Sequence, residues 1–306
     1  MDYIDLHTHT CYSDGTSTVE NSLNCAEALN LSLFSVTDHN SVDAYDEIME
    51  KRKTFSGKIL PATELTALTD GNLIEVLGYG IDLSKMKQFI SKTYLGYRDK
   101  QVAEASINVR SVLEHGATLS DDFIRRMLEK PDSLFNPFRE NSRKALLTEL
   151  RRYPENARFF KSQEEFETIG QTAFSRHYIY NPNSPLYCDQ SSLFPTVKSI
   201  IESIHSCGGL AFLAHALIYD ETLVATLDEI IAEGLDGLEC HYGTFTAEQQ
   251  AFLCAKCHEH HIYMSGGSDF HGLDMRPKNL MGLAGGIKIP RSLVSDWENQ
   301  VADRLI

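Results

Sequence analysis

The sequence predicts an α/β protein with a barrel of about seven strands, interrupted by a helical insertion. Two features of the chain predict this architecture. Near both ends, short apolar or β-branched runs alternate with helical patterns, which favours parallel strands joined by helical crossovers. A central stretch instead carries apolar residues at helical spacing among many charged ones, with few strand signals.

Residues 1–82 contain four predicted strands and two predicted helices. The strands cover about residues 4–6, 33–37, 58–63 and 74–78. The pattern Ser17-Thr18-Val19-Glu20 is a capping box, which predicts a helix extending to about residue 29. The second helix covers about residues 44–53. These elements form the first part of the predicted barrel domain.

Residues 83–176 form the predicted helical insertion. Its helices should be interrupted where glycine or proline ends a helix. The expected breaks lie near Gly116, Pro131, Pro137 and Pro154.

Residues 177–306 complete the predicted barrel domain. Strands are predicted over about 210–214, 237–240 and 262–265, and helices over about 193–206 and 223–233. A further helix begins with Thr246-x-x-Gln249. It includes a CxxCH pattern at residues 254–258, which we interpret as ordinary helix and not as a haem-attachment motif.

Composition and charge restrict the class of protein. The 306 residues are 42% hydrophobic and 23% charged, as in globular proteins. The net charge of -15 argues against a large nucleic acid as partner, although an acidic enzyme can bind a small anion through bound cations. Neither a signal peptide nor an apolar run of roughly 18 residues is present, so we expect a cytoplasmic protein without a membrane partner. The odd count of seven cysteines predicts reduced, mostly buried thiols.

Metal-binding side chains follow most of the predicted strands. In a parallel barrel the carboxyl ends of the strands share one rim, so these side chains should converge there. The residues concerned are His7, His9, Asp14, His39, Glu64, His215, Asp269 and His271, and Glu75 lies within a strand.

The residue types predict a centre that holds two or three divalent ions. The alternation of an extended segment points His7 and His9 to the same side, and Asp269 and His271 repeat this spacing. Imidazole and carboxylate ligands without thiolate suit Mn, Fe or Zn. Taken singly, His215 could be a core histidine and His39 a surface residue. The coincidence of all these residues at strand ends favours metal.

The same residues resemble the motifs of the PHP family, which is named for polymerase and histidinol phosphatase domains. The matching motifs are His7-Thr8-His9, Ser13-Asp14-Gly15, Thr37-Asp38-His39, Glu64, Leu213-Ala214-His215 and Ser268-Asp269-Phe270-His271. The resemblance spans both ends of the chain and excludes the insertion. It implies a distorted seven-stranded β/α barrel, with the insertion over the rim and a metal cluster below it.

The resemblance also implies three sets of ligands. One ion would be held by His7, His9, Glu64 and Asp269. A second would be held by Glu64, His215 and the residue at position 75. A third would be held by Asp14, His39 and His271. The sequence departs from the family at Glu75, where a histidine is usual, and at Ala145, where relatives often carry the histidine of an Arg-x-His motif.

The predicted function is hydrolysis of a small phosphate ester, a phosphomonoester or phosphodiester and possibly a nucleotide. A hydroxide shared by two ions would attack phosphorus, and either Asp269 or a metal-bound water would relay a proton. Arg143, Arg176 and His177 are the candidates for contacting the phosphate. A non-catalytic, metal-stabilised PHP module is the alternative. The related amidohydrolases typically use a bridging lysine, which no motif here supplies.

Overall fold

The computed structural model describes residues 2–70, 72–129, 142–219 and 224–306. The described strands form two sheets of five strands each. In chain order, the strands are β1 (Tyr3–Asp5), β2 (Leu31–Phe34), β3 (Lys58–Ile59), β4 (Ala62–Thr69), β5 (Asn72–Tyr79), β6 (Leu210–Leu213), β7 (Gly237–Tyr242), β8 (Tyr263–Gly267), β9 (Leu283–Ala284) and β10 (Ile287–Pro290).

The first sheet has the order β3-β2-β1-β10-β9. Strands β1, β2 and β3 run parallel, as the alternation of strands and helices predicts. Strands β9 and β10 were not predicted. They pair antiparallel with each other, and β10 pairs antiparallel with β1. This sheet is therefore mixed.

The second sheet has the order β4-β5-β6-β7-β8. Strands β6, β7 and β8 run parallel, but β5 runs antiparallel to β6. The expectation of an all-parallel arrangement is therefore wrong at β5. Strand β5 lies beside β4 and follows it after only residues 70–71, which is too short a connection for the crossover that parallel neighbours require. Strand β4 also extends further than predicted, so Glu64 lies within the strand and not after it.

The seven-stranded barrel is not confirmed, since the described strands form two separate sheets and no closed barrel is found. The α/β class with helices between most strands is confirmed. Two isolated parallel bridges lie outside the named strands, and both involve site segments. One joins Thr8 to Phe270 and the other joins His39 to Glu64.

Five described helices connect strands or follow them in the part of the chain that contains the sheets. The first begins after Thr18, whose side chain accepts a hydrogen bond from the Asn21 amide, so the cap is one residue later than a cap at Ser17. The last has the predicted capping box of Thr246 and Gln249. These helices are Val19–Ala28, Ala44–Lys51, Val197–Ser206, Leu227–Ala232 and Ala247–His260.

The contacts within the chain divide it into two compact units. The sheet unit comprises Met1–Ala67, Ile74–Lys92 and Thr196–Ile306, and the helical unit comprises Leu68–Leu73 and Thr93–Pro195. The sheet unit also includes most of the helix Leu83–Thr93. The principal helices of the helical unit are Tyr97–Glu114, Asp121–Glu129, Ser142–Leu150, Gln163–Thr168 and Gln171–Phe174.

Two of the predicted helix breaks fall on described residues. Gly116, with φ of +84°, follows the end of the helix Tyr97–Glu114. Pro154 begins a short 3-10 helix. The other two, Pro131 and Pro137, lie outside the described residues. Among the described residues, no helix has both the length and the apolar character needed to span a bilayer.

Each unit has its own hydrophobic core. In the sheet unit, the fully buried Trp297 stacks against Tyr79 and contacts Phe212, and its indole N–H donates to the Met264 carbonyl at 2.8 Å. In the helical unit, Phe174 packs with Phe160 and neighbouring aromatic rings. All seven cysteines are free, and four of them are buried.

Candidate metal centre

His7 and His9 follow β1 and place their imidazoles side by side. Both side chains are fully buried, and their Nε2 atoms lie 3.1 Å apart. His7 Nδ1 lies 2.8 Å from a carboxylate oxygen of Glu239, so it carries the proton and Nε2 is left with a lone pair. A lone pair that faces another ring nitrogen at this distance is suited to a shared cation.

Glu64 lies between four histidines that come from three different segments. Its carboxylate oxygens are 3.3 Å from Nε2 of both His7 and His9. They are 3.0 Å from His39 Nδ1 and from His215 Nε2. A buried carboxylate in this position can bridge two ions.

Asp269 follows β8 and completes the group around His7 and His9. Its Oδ1 is 3.4 Å from His7 Nε2 and 3.2 Å from His9 Nε2. Its Oδ2 accepts hydrogen bonds from the Tyr242 hydroxyl at 2.7 Å and from the Arg276 guanidinium. The two oxygens of this carboxylate therefore face different partners.

A second group of ligands surrounds Asp14. Its Oδ1 lies 3.1 Å from His271 Nε2, 3.7 Å from His39 Nε2 and 3.8 Å from His9 Nδ1. His271 Nδ1 lies 3.0 Å from the Asp269 carbonyl, which fixes the proton on Nδ1 and turns the lone pair of Nε2 towards Asp14. Two electron-rich atoms would repel each other at this distance unless a cation lay between them.

Glu75 lies at the edge of the cluster. Its carboxylate is 3.4 Å from His215 Nε2 and 3.9 Å from His39 Nδ1. The Tyr219 hydroxyl donates to it at 3.3 Å. A carboxylate therefore faces His39 and His215 at this edge.

Two buried aspartates hold the segments that carry the ligands. Asp38 accepts from the Thr10 amide at 2.8 Å and from the hydroxyls of Thr10 and Ser13 at 2.6 Å, which fixes the loop leading to Asp14. Asp5 accepts from the Ser268 amide at 2.9 Å and its hydroxyl at 2.6 Å, next to Asp269. Burial raises the pKa of Asp5 to about 6, although these hydrogen bonds oppose the shift.

The backbone is strained at two ligand positions. His215 has φ of +30° and Asp269 has φ of +54°, in the left-handed region that residues with a side chain seldom adopt. His215 is the residue before a 3-10 turn, and its amide donates to Glu239 at 2.8 Å. These conformations turn both side chains from the strand ends into the cluster.

Charge in the cluster is balanced between imidazoles and carboxylates. Burial alone would raise the pKa of Glu64 and Asp269, but His7 and the other neighbouring imidazoles hold both well below the usual range. Burial lowers the pKa of His39, yet Glu64 and Asp14 raise it to about 10. The carboxylates therefore stay anionic and demand positive charge nearby.

All nine predicted ligands belong to groups whose ligand atoms lie within 4.8 Å of one another. Each group can hold a cation with nitrogen and oxygen donors. The groups are His9, Asp14, His39 and His271; His7, His9 and Asp269; His7, Glu64 and His215; and His39, Glu64 and Glu75.

Unpartnered polar atoms test whether the cluster fits metal ions. Buried polar atoms are nearly always hydrogen-bonded in proteins. Four atoms that face the cluster have no hydrogen-bond partner among the described residues, and they come from four different residues. They are His9 Nδ1, Glu64 Oε2, Asp269 Oδ1 and His271 Nε2. Divalent ions bound by these atoms would satisfy them, so the residues fit a metal centre.

The other three candidate catalytic residues belong to the helical unit. Arg143 contacts the Tyr180 hydroxyl, and its Nε lies 3.9 Å from the buried Glu104 carboxylate. Arg176 is partly buried and His177 is exposed, both in a short π-helix. The structure thus groups the nine predicted ligands, while Arg143, Arg176 and His177 lie in the other unit.

Three residues of the centre were not predicted from the sequence: Glu239, Tyr242 and Arg276. Glu239 and Tyr242 lie in β7 and are buried, and a carboxylate in an otherwise apolar strand was the available signal for the first. Arg276 lies five residues after His271, the last residue of the ligand motifs, and no sequence pattern at that spacing indicates a role in the site.

A family model described as "PHP domain" matches residues 5–253. This chain belongs to the PHP family. The exoribonuclease Rnm (5'-3') of Escherichia coli strain K12 is 23% identical over 96% of this chain and 92% of its own length. The 3',5'-nucleoside bisphosphate phosphatase of Chromobacterium violaceum is 24% identical over 89% of this chain and 88% of its own.

A solved structure shares the fold. It is a protein from Bifidobacterium adolescentis described as a candidate metal-dependent phosphoesterase, with a TM-score of 0.60 and 22% identity over 98% of this chain and 96% of its own. The predictions of a PHP-family protein and of an enzyme of the phosphoesterase class are confirmed by these relatives. The substrate is not identified by them.

Proposed function

We propose that this PHP chain is a metal-dependent hydrolase of a phosphate ester in a nucleotide-type substrate. The observation that carries the proposal is the convergence of nine nitrogen and oxygen ligands around Glu64, from segments spread over most of the chain. The two relatives above are named for reactions on RNA or on nucleoside bisphosphates, which supports a nucleotide-type substrate.

We propose two or three divalent ions, of Mn, Fe or Zn, in this centre. His7, His9, Glu64 and Asp269 would hold one ion; Glu64, Glu75 and His215 a second; and Asp14, His39 and His271 a third. When bound, such ions activate water and neutralise charge on the phosphoryl oxygens. The carboxylate of Glu75 favours a hard ion such as Mn at the second position.

The protein's own residues would orient the ligands and the substrate. Glu239 fixes the tautomer of His7, and Tyr242 fixes one oxygen of Asp269. The lowered pKa of Asp269 suits a permanent ligand better than a proton relay. Arg143, Arg176 and His177 remain proposals for contacting the substrate, as does substrate selection by the predicted insertion, residues 83–176.

We also propose that seven strands of the sheet unit form a distorted barrel. The two isolated bridges support this, because they link the segments after β1 and β2 to those of the other sheet. The boundaries 1–82 and 177–306 remain the predicted limits of that domain, and a cytoplasmic location remains a prediction.

Exonucleolytic cleavage of RNA is the second candidate activity. It is favoured by the exoribonuclease from Escherichia coli, which matches nearly the whole chain. The net charge of -15 argues in the other direction, because affinity for a long polyanion depends on surface cations. A nucleoside 3',5'-bisphosphate and 5'-phosphorylated oligoribonucleotides of increasing length would separate the two activities.

The test is hydrolysis of p-nitrophenyl phosphate, its bis ester and the nucleotide substrates after loading with Mn, Fe or Zn. Wild type should bind metal stoichiometrically and turn over at least one substrate. His7→Ala should lose metal and activity, whereas His258→Ala, at an exposed helix position, should retain both. Stoichiometric metal without turnover would support the non-catalytic module, and no metal in any preparation would end the proposal.

A further inference from the structure

Arg276 is a cation at the metal centre for which the family motifs give no role. Its Nη1 donates to Asp269 Oδ2, the oxygen that also accepts from the Tyr242 hydroxyl. Among the described residues, it is the only arginine or lysine that forms an ion pair with one of the nine ligands. A guanidinium therefore stands inside the sheet unit, beside the proposed ions.

The guanidinium retains hydrogen-bonding capacity after its contact with Asp269. Arginine has five N–H donors in a planar fork. Only the contact through Nη1 is found among the described residues, and the side chain is 35% exposed. Several donors of Arg276 can therefore reach a ligand in the same region as the metal-binding atoms.

The surroundings keep Arg276 charged and in place. An arginine side chain stays protonated in proteins, and its contact with Asp269 holds the guanidinium in place. The Tyr242 hydroxyl donates to the same oxygen of Asp269 at 2.7 Å. If Arg276 served only to orient the Asp269 carboxylate, the Tyr242 hydroxyl would already do so, and a second, cationic donor would not be required. A guanidinium beside divalent ions is also unfavourable, because like charges repel, unless an anion binds among them.

We propose that Arg276 binds the phosphate group of the substrate, with its contact to Asp269 setting the orientation of the guanidinium. The planar fork matches two oxygens of a phosphate, which an ammonium group does not. This inference rests on the proposed phosphoesterase function. It assigns recognition of the phosphate to a residue of the sheet unit itself.

The test separates phosphate binding from support of Asp269. Arg276→Gln and Tyr242→Phe each remove one hydrogen bond to the same carboxylate oxygen, but only the first removes the guanidinium. Mn content and Mn affinity would be measured for both variants. Binding of inorganic phosphate to the Mn-loaded proteins would be measured by calorimetry, together with kcat and KM for p-nitrophenyl phosphate.

We expect Arg276→Gln to raise the Kd for inorganic phosphate roughly 10- to 100-fold, because a charge-assisted hydrogen bond is lost. Its Mn content should stay that of the wild type, and KM should rise more than kcat falls. Arg276→Lys should be intermediate. Tyr242→Phe should leave the Kd for phosphate within about twofold of the wild-type value, because this variant retains the guanidinium of Arg276.

Two results would overturn the inference. One is an Arg276→Gln protein that binds Mn and phosphate like the wild type. The other is equal loss of Mn affinity in both variants with no separate change in phosphate affinity, which would make Arg276 a support of Asp269 only. A wild-type protein that binds phosphate but hydrolyses no ester would instead contradict the proposed function.

Discussion

At the scale of single residues, the centre depends on the tautomers of its histidines. A histidine ligand needs a lone pair on the nitrogen that faces the ion, and the partner of the other nitrogen decides which one that is. Glu239 does this for His7, and the Asp269 carbonyl does it for His271. Glu239 also accepts from the His215 amide, so it orients two ligands.

Glu239→Gln should weaken Mn binding roughly 10- to 100-fold, the range typical for the loss of a partner that orients a ligand. The amide removes the charge beside His7 and cannot accept from both His7 and the His215 amide. Competition titration against a Mn chelator measures the effect. Glu202→Gln, at an exposed position, is the matched control. Equal affinities for Glu239→Gln and wild type would contradict the orienting role.

The convergence of the nine candidate ligands was predictable because their chemistry is local: each follows or lies in a strand, and residue type limits what can bind a metal. The support residues were not predictable, because Glu239, Tyr242 and Arg276 act through contacts with distant segments. A tyrosine or arginine looks the same in the sequence whether its side chain donates to Asp269 or to solvent.

At the scale of elements, the sites of closest approach between strands control where the ligands lie. β8 ends at Gly267, where an added Cβ would overlap the backbone and side chain of His7. Gly15 has the same function in the loop before the first helix, because a Cβ there would lie 2.7 Å from the His9 carbonyl carbon. These two glycines allow the segments to approach until their ligands meet.

Gly267→Ala should lower the free energy of unfolding by about 1 to 3 kcal/mol, as overpacking does in a filled core. Because the displaced residue is His7, Mn content should fall as well. Urea unfolding and metal analysis of the purified variant measure both effects. Gly170→Ala is the control, since an added Cβ there meets nothing within 4 Å. A stable Gly267→Ala protein with full Mn content would refute this account.

In the helical unit, Glu149 joins two helices through its carboxylate. It accepts from the Ser120 amide at 3.0 Å and the Ser120 hydroxyl at 2.6 Å, and it pairs with Arg152 at 2.9 Å. Burial would raise the pKa of Glu149, but these donors lower it below the usual value. The ionised form is therefore the one that stabilises the fold.

Glu149→Gln should reduce the free energy of unfolding by about 1 to 2 kcal/mol at pH 7. Because the folded-state pKa lies below the unfolded one, the wild-type advantage is present above the unfolded pKa and disappears as the pH falls through the folded pKa. Urea unfolding at a series of pH values tests this, with the exposed Glu114→Gln as control. An advantage that grows with acidity would refute it.

Element-level prediction failed where pairing is not local. The helix Ala247–His260 could be read from its capping box, and the helix Val19–Ala28 from a predicted cap one residue before the observed Thr18, since a cap is decided by neighbouring residues. The direction of β5 could not, because it depends on pairing with β6, a strand more than a hundred residues away. The short strands β9 and β10 carry too few residues for a periodic signal.

At the scale of the whole molecule, the centre ties together the first, middle and last parts of the sheet unit. Its ligands extend from His7 to His271 along the chain. A ligand that binds only the folded chain stabilises all segments that supply donors. The stability of the sheet unit should therefore follow metal occupancy.

Removal of metal with a chelator should lower the Tm of the wild type, and added Mn should restore it. At a free Mn concentration of 100 times its Kd, binding adds about 2.7 kcal/mol to the free energy of unfolding. Differential scanning calorimetry measures the shift. His7→Ala should show little response to Mn, and an equal response in both proteins would place the stabilising ion elsewhere.

The left-handed backbone at His215 and Asp269 has a consequence for attempts to increase the thermal stability of the protein. A residue with a side chain costs roughly 1 to 2 kcal/mol in this conformation, and glycine avoids most of that cost. In medium depleted of divalent ions, where these two side chains gain no stability from metal, selection for heat resistance alone should therefore enrich glycine at both positions and yield stable but inactive variants. Catalysis must be part of the screen from its first round.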